Sequence, residues 1–234
     1  MKDQITELNR RFEGATTEVV IRWAAAEFPG SVAFSSSFGV EDQMITEILA
    51  RLNQNIRLFT LDTGRLFQET YDVMHITEQK YGIRFELFFP DAPKVEEMIR
   101  QKGINLFYES VENRQLCCHI RKIEPLKRAL DGVKVWITGL RRDQSVTRAD
   151  ATMFEWDEKF NLIKLNPLIN WSVEAVWKEI KMKGIPYNDL HDKGYPSIGC
   201  LPCTRAVQTG EDLRAGRWWW ELPEFKECGL HKKI

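Results

Sequence analysis

Five cysteines constrain this 234-residue chain more than any other feature. Two are adjacent, Cys117 and Cys118. Two form a C-x-x-C pair, Cys200 and Cys203, within Gly-Cys-Leu-Pro-Cys-Thr. The fifth, Cys228, lies near the end in Glu-Cys-Gly-Leu-His-Lys-Lys. Four thiolates is the number that a [4Fe–4S] cluster takes, and one thiol is then left over for chemistry. Used as one set, the four tie the late part of the chain to its middle.

The spacing Ile120, Ile123, Leu126, Leu130 predicts a helix carrying the cysteine pair. Adjacent cysteines cannot both aim at one small tetrahedral ion without distorting the backbone. A cubane is larger and presents separate iron corners. Structural zinc favours two separated C-x-x-C knuckles, and this chain has one, so the spacing favours iron–sulfur over zinc. Apolar packing of Cys117 and Cys118 and a redox disulfide between Cys200 and Cys203 are the other readings. His119 reads as a surface residue or as one beside the ligands, since four cysteines already complete the set. Lys122, one turn beyond the pair, stands where a cation faces both an anionic cluster and an anionic substrate.

Composition sets the class. An apolar fraction of 43% and a charged fraction of 29% are ordinary for a globular protein. The net charge of −1 gives no global signal for nucleic acid or a membrane surface. No run of about 18 apolar residues exists, and the start Met-Lys-Asp-Gln-Ile-Thr-Glu lacks a secretory apolar stretch. The expectation is a cytoplasmic protein with reduced thiols, no membrane partner and no nucleic-acid partner. The oligomeric state stays open, a homo-oligomer included.

Strand-like and helix-like segments alternate. Helical patterns cover 8–28, 41–52, 67–81, 93–102 and 172–183. Strand patterns cover 31–34, 56–61, 84–89, 133–138 and, more weakly, 161–165. This predicts an α/β fold with a mostly parallel sheet flanked by helices. Turn-rich sequence begins near Tyr187. The chain therefore divides into a nucleotide-binding α/β domain over 1–186 and a C-terminal arm over 187–234, which belongs to the same domain.

Open parallel sheets bind ligands beyond the carboxyl ends of their strands, so the loops there matter most. The first is Ser35-Ser36-Ser37-Phe38-Gly39, a polar strand-to-helix turn that reads as an anion site or as an ordinary turn with a serine N-cap. It lacks the lysine of a Walker A loop. The second is Leu61-Asp62-Thr63-Gly64-Arg65. The third starts at Gly139 and carries Arg141, Arg142 and Arg148. These arginines suit either phosphate or sulfate oxygens or neighbouring acids.

Cys228 has Lys226, His231, Lys232 and Lys233 close in sequence. Cations favour thiolate, the nucleophilic form. The apolar cluster Trp218-Trp219-Trp220 anchors the segment before it, with Arg214 and Arg217 placed to reach an anion.

Cys-Cys-His-Ile-Arg-Lys at 117–122, Gly-Cys-Leu-Pro-Cys-Thr at 199–204 and Glu-Cys-Gly-Leu-His at 227–231 together resemble one family closely. It is the assimilatory adenosine 5′-phosphosulfate (APS) reductases, the iron–sulfur branch of the sulfonucleotide reductases. The resemblance runs from Ser35 to His231. It implies an adenine-nucleotide α-hydrolase-like fold and a [4Fe–4S] cluster on Cys117, Cys118, Cys200 and Cys203. It implies that Cys228 attacks the substrate sulfur, giving an S-thiosulfonate and AMP, and that reduced thioredoxin or a glutaredoxin-like donor then frees sulfite. It implies nucleotide contacts from Ser35, Ser36, Ser37, Gly39, Leu61, Thr63 and Gly139. It implies that Lys122, Arg148, Arg214, Arg217 and His231 hold the phosphosulfate. Some members carry a histidine shortly before the cysteine pair, where this chain has Asn113-Arg114-Gln115.

Relatives that act on the 3′-phosphorylated nucleotide (PAPS) typically lack the four cysteines, so their presence favours APS. The alternatives are PAPS reduction, alone or alongside APS, an RNA-thiolating PP-loop enzyme, and a nucleotide-binding iron–sulfur sensor. The near-neutral charge speaks against the RNA enzyme. A sensor would have no need of Cys228.

Overall fold

The computed structural model describes residues 1–144 and 148–222. Cys228 and His231 therefore lie outside the described residues. The chain divides into two compact units. Unit 1 comprises 1–60, 69–86 and 132–188, and unit 2 comprises 61–68, 87–131 and 189–234.

The strands are β1 (Val32–Ser35), β2 (Arg57–Leu61), β3 (Glu86–Phe88), β4 (Val135–Ile137), β5 (Phe154–Asp157) and β6 (Leu162–Leu165). They form one six-stranded sheet in the order β3-β2-β1-β4-β6-β5. β1 runs parallel to β2 and β4, and β4 parallel to β6. The expected mostly parallel sheet is thus present.

The helices of unit 1 are α1 (Ile5–Arg11), α2 (Thr17–Glu27), α3 (Val40–Leu52), α4 (Gln68–Tyr81, whose first residue belongs to unit 2) and α8 (Val173–Lys183). Where the spacing predicts one helix over 8–28, there are two. Gly14 takes a left-handed φ of 70°, and Thr16 caps α2 by accepting the Val19 N–H. A glycine there ends the first helix at little steric cost.

Alternate strand residues Val32, Phe34, Val135, Ile137, Ile163 and Leu165 are buried in one core with Ile21, Ile45, Ile48, Val176 and Ile180 from α2, α3 and α8. Strand period two and helix period 3.6 thus meet on one apolar surface. On the opposite strand faces, Ala33, Trp136, Lys164 and Glu155 fall in register. Lys164 Nζ lies 3.7 Å from Glu155, and Asn166 Nδ2 donates to that carboxylate at 3.0 Å.

β5 is the one strand with no sequence signal, and it runs antiparallel on the sheet edge. Its start is held by a side chain. Asn9 Nδ2 donates to the Phe154 carbonyl at 2.8 Å, and Asn9 Oδ1 accepts the Phe154 N–H at 3.0 Å. The amide of Asn9 thereby replaces a missing strand neighbour.

Unit 2 contains α5 (Ala92–Lys102), α6 (Val111–Cys118), a π-helical turn at His119–Ile123, and α7 (Glu124–Ala129). Asp91 caps α5 with Pro93 in its first turn, as the sequence predicts. The helix expected to carry the cysteines is present but widened just after them. Pro125 has no N–H for the Arg121 carbonyl four residues back, and its ring would press on that carbonyl in a regular helix. The wider turn relieves both conflicts.

The Asn9 contact yields a direct check. Asn9→Ala strips both partners from the backbone of Phe154, which is fully buried. Urea denaturation should show a loss of about 1–3 kcal/mol. An unchanged midpoint would mean that the amide does not hold β5.

Candidate functional site

In unit 1, β1, β2 and β3 are laid down to one side, and β4 then returns to the other side of β1. The loops after β1 and β4 therefore flank the switch point of the sheet, where open α/β folds receive ligands. Both are loops that the sequence singles out.

The three serines of the first loop have separate jobs. Ser35 Oγ accepts the Trp136 indole N–H at 2.8 Å, and Ser36 Oγ accepts the Phe38 N–H at 3.1 Å. Ser37, which is exposed, gives both its N–H (2.6 Å) and its hydroxyl (2.7 Å) to Asp42 Oδ2. The serine N-cap of the second reading is absent, and Gly39 caps α3 without a side-chain bond. The reason is that Asp42, inside the helix, has taken Ser37.

Phe38 has a left-handed φ of 60°, a strained conformation for a bulky residue. Its buried ring packs edge-on against Phe85 with centroids 4.9 Å apart, which holds the turn in place. A left-handed residue between Ser37 and Gly39 turns the chain sharply from β1 into α3.

Asp42 also accepts the backbone N–H of Gly139. It therefore ties the loop after β1 to the loop after β4. Burial, above all, pushes its carboxyl up to about 6, against the lowering effect of its bonds to Ser37 and Gly139. The sequence reading missed Asp42, because an acid in the first turn of a helix is unremarkable.

The arginines of the third loop divide. Arg141 is buried and gives its Nε and Nη2 to Glu41 at 2.9 and 2.8 Å. Arg142 bonds the Ala151 carbonyl and Asn170. Both are engaged with the protein itself, so the phosphate-clamp reading gives way to the alternative of neighbouring partners. Arg148 is half-buried and bonds Gln144.

In unit 2, Cys117, Cys200 and Cys203 share one apolar cluster with Met98, Phe107, Ile120, Trp218 and Trp220. Thr63 Oγ1 lies 3.3 Å from Cys200 Sγ. Thr63, expected at the nucleotide, therefore contacts the cysteine set. Leu61 is half-buried at the end of β2. Cys118, half-buried at the end of α6, receives a hydrogen bond from Arg114.

The thiols are tuned unequally. Burial raises Cys200, but Lys122, the Thr63 hydroxyl, Arg217 and Arg121 outweigh it and leave its pKa lowered. Burial pushes Cys203 up to about 12, with Cys200 adding to the shift. Burial also raises Cys117, partly offset by Arg121.

Arg121 is the second residue that the sequence reading missed. It is buried, and its Nη1 donates to the Thr63 carbonyl at 2.6 Å. A signal existed, since it stands four residues after Cys117, on the same helical face. Arg217 lies against Gly199, where a Cβ would come within 2.6 Å of its Cζ. Arg214 is half-buried behind Asp212, which accepts its backbone N–H at 2.8 Å. His119 is half-exposed, as expected of a surface residue.

Among the described residues, no group of three or more His, Cys, Asp or Glu side chains is gathered as a binding set for a metal ion. Three buried donors beside the cysteines nevertheless lack partners there: Trp218 Nε1, Trp220 Nε1 and Arg121 Nε. Unsatisfied buried donors and concentrated cations around thiols are what an anionic sulfur-rich group satisfies. The residues present fit a thiolate-bound cluster.

Residues 31–206 match the sequence pattern of the phosphoadenosine phosphosulfate reductase domain. An adenosine 5′-phosphosulfate reductase of Allochromatium vinosum is 53% identical over 203 residues, spanning 87% of this chain and 79% of that one. One from Sinorhizobium fredii is 48% identical over 225 residues, spanning 96% and 89%. The crystal structure of a phosphoadenylyl-sulfate reductase from Candida auris, in complex with phosphate, superposes with a TM-score of 0.76 at 28% identity, covering 88% of this chain and 98% of that one. A fold this similar, with the motif matched across its sheet, defines a sulfonucleotide reductase. The chain belongs to the phosphoadenosine phosphosulfate reductase domain family.

Two outcomes test the unit 1 site. In Gly139→Ala, the new Cβ collides with Asp42 Oδ1 and lies 3.1 Å from Glu41 Cβ. AMP affinity, read by calorimetry, should fall at least about ten-fold, the scale of one lost charge-assisted hydrogen bond. Asp42 also makes a signed contribution to pH dependence. Its folded pKa of about 6 is above the ordinary 3.8, so the folded state holds the extra proton between those values. This group therefore subtracts stability as pH rises from 4 through 6. Urea midpoints across that window should fall less steeply in Asp42→Asn than in the parent. Equal slopes would remove the assignment.

Proposed function

We propose that this protein reduces adenosine 5′-phosphosulfate to sulfite and AMP, in sulfate assimilation. The observation that carries the reading is the cationic pocket of thiols in unit 2, in a chain whose relatives bear that enzyme's name at 53% and 48% identity. On this reading Cys117, Cys118, Cys200 and Cys203 hold a [4Fe–4S] cluster. When bound, the cluster supplies an anionic, rigid element beside Lys122, while the reducing electrons come from thiols.

Cys228 is the nucleophile. Its thiolate forms a bond to the sulfuryl sulfur, and the bond from that sulfur to the phosphate oxygen breaks, releasing AMP. A dithiol donor, thioredoxin or a glutaredoxin-like protein, then attacks Cys228 Sγ. Sulfite leaves with the bonding pair, and the donor's second thiol closes its own disulfide, so two electrons pass from donor to substrate. Charge grows on the departing phosphate in the first step. Lys122, Arg148, Arg214, Arg217 and His231 are assigned to it, because fixed cations stabilise developing charge without reorganising. Ser35, Ser36, Ser37, Gly39, Leu61, Thr63 and Gly139 are assigned to the nucleotide, with Thr63 also serving the cluster through Cys200. Free thiols suit the reducing cytoplasm.

Anaerobically purified protein should absorb in the visible and release sulfite from APS with reduced thioredoxin. Cys228→Ser should abolish sulfite release and keep the absorption. Sulfite from PAPS at an equal rate would favour the dual-specificity reading, and full activity of Cys228→Ser would overturn the mechanism.

A further inference from the structure

The most deeply buried ion pair of unit 2 has no part in the chemistry assigned above, although its arginine reaches one of the thiols. Arg114, on α6, is fully buried, and the Glu221 side chain is 2% exposed. The pair is a two-pronged fork, with Arg114 Nε on Oε1 at 2.9 Å and Nη2 on Oε2 at 2.7 Å. Such geometry fixes direction as well as distance. The same guanidinium bonds Cys118, one helical turn further on, and lies 4.9 Å from the centroid of the Trp218 ring.

The segment that it grips is strained. Trp218 has a φ of 42°, a left-handed conformation that bulky residues rarely adopt. Several contacts hold it there. Its N–H donates to the Cys203 carbonyl at 3.1 Å, and its carbonyl accepts the Glu221 N–H at 2.8 Å. The Arg217 guanidinium lies 4.7 Å from its ring centroid. Strain of this kind persists where the surroundings over-determine it, and it marks functional segments. A buried pair is weak evidence for stability, because apolar residues of like volume often serve as well. What the fork adds is a unique direction. The chain that leaves it reaches Cys228 seven positions after Glu221.

We infer that the Arg114–Glu221 pair is a positioning device for the reaction: it locks Trp218–Glu221 onto the helix carrying Cys117 and Cys118 and so fixes where the chain that carries Cys228 sets out. The inference rests on the role proposed above for Cys228. Arg114 and Glu221 are not among the residues assigned to the substrate, and they act by fixing the point from which the chain runs on to the thiol.

The test compares the holoenzyme with Glu221→Gln, Glu221→Asp and the apolar double variant Arg114→Met/Glu221→Leu. The readings are kcat and KM for APS, iron content, melting temperature, and the rate at which iodoacetamide alkylates Cys228 in the presence of AMP. Glu221→Gln should lose at least about ten-fold in kcat with KM within two-fold and iron retained. Glu221→Asp, which keeps the charge but shortens the reach, should fall between that variant and the parent. The double variant removes both charges together, should melt near the parent, and should still show the low kcat. Alkylation should change at least three-fold in each slow variant.

Parent values of kcat and alkylation in the folded double variant or in Glu221→Asp would overturn the inference. So would iron and turnover lost in parallel throughout the series, since the pair would then serve only the fold. Absence of sulfite from the parent would instead remove the proposed function, and the alkylation rates would still decide this inference.

Discussion

Charge can be carried on buried sulfur only where cations and donors reach it, and unit 2 is arranged around that requirement. Cys117, Cys200 and Cys203 are packed among Trp218, Phe107 and Met98, an environment that favours the neutral thiol. Burial, above all, pushes Cys203 and Cys117 upward, and Cys200 adds to both shifts. Cys200 goes the other way because Lys122, Thr63, Arg217 and Arg121 all act on it. The unpartnered indole N–H groups of Trp218 and Trp220 belong to the same arrangement. The fully buried Arg114 extends it to Cys118.

Unit 1 solves a different problem with the same means. A strand-to-helix turn at the switch point of a sheet has to be held in one direction. Phe38 supplies the bend at the cost of strain, and the Phe85 ring holds it. Asp42 draws Ser37 and Gly139 together, so two loops far apart in sequence hold a common geometry. Glu41, its neighbour, takes the buried Arg141. Adjacent acids on one helix turn thereby organise the loops on both sides of the switch point.

Much of this was legible from local pattern. β1, β2, β4 and α3 fall where alternation and helical spacing put them, because a sheet covered by helices needs long apolar runs. That Cys117, Cys200 and Cys203 share one cluster was legible because thiols are rare and their spacing is restrictive. β5 was not, since a four-residue edge strand held by Asn9 leaves no periodic trace. The π-turn after Cys118 was open to prediction from Pro125, whose conflict with the Arg121 carbonyl is purely local. Arg141 and Arg142 were ambiguous by nature, since the same side chain serves a phosphate or a carboxylate.

What the sequence determined by itself was the kind of layering and the chemical inventory: parallel strands between helices, four thiols as a set, a fifth apart, and cations placed near them. Those follow from composition and short-range spacing, which the chain carries in any conformation. Only the tertiary structure decided which groups share a dielectric. It brought Thr63 to Cys200, Asp42 to Gly139 and Arg114 to Glu221, pairs separated by 97 to 137 residues where a bond connects Gly139 or Cys200 across the chain and by 107 at the buried fork. Whether a carboxylate or a thiol is charged depends on burial and on partners that arrive from elsewhere in the chain, and neither exists before the chain has folded.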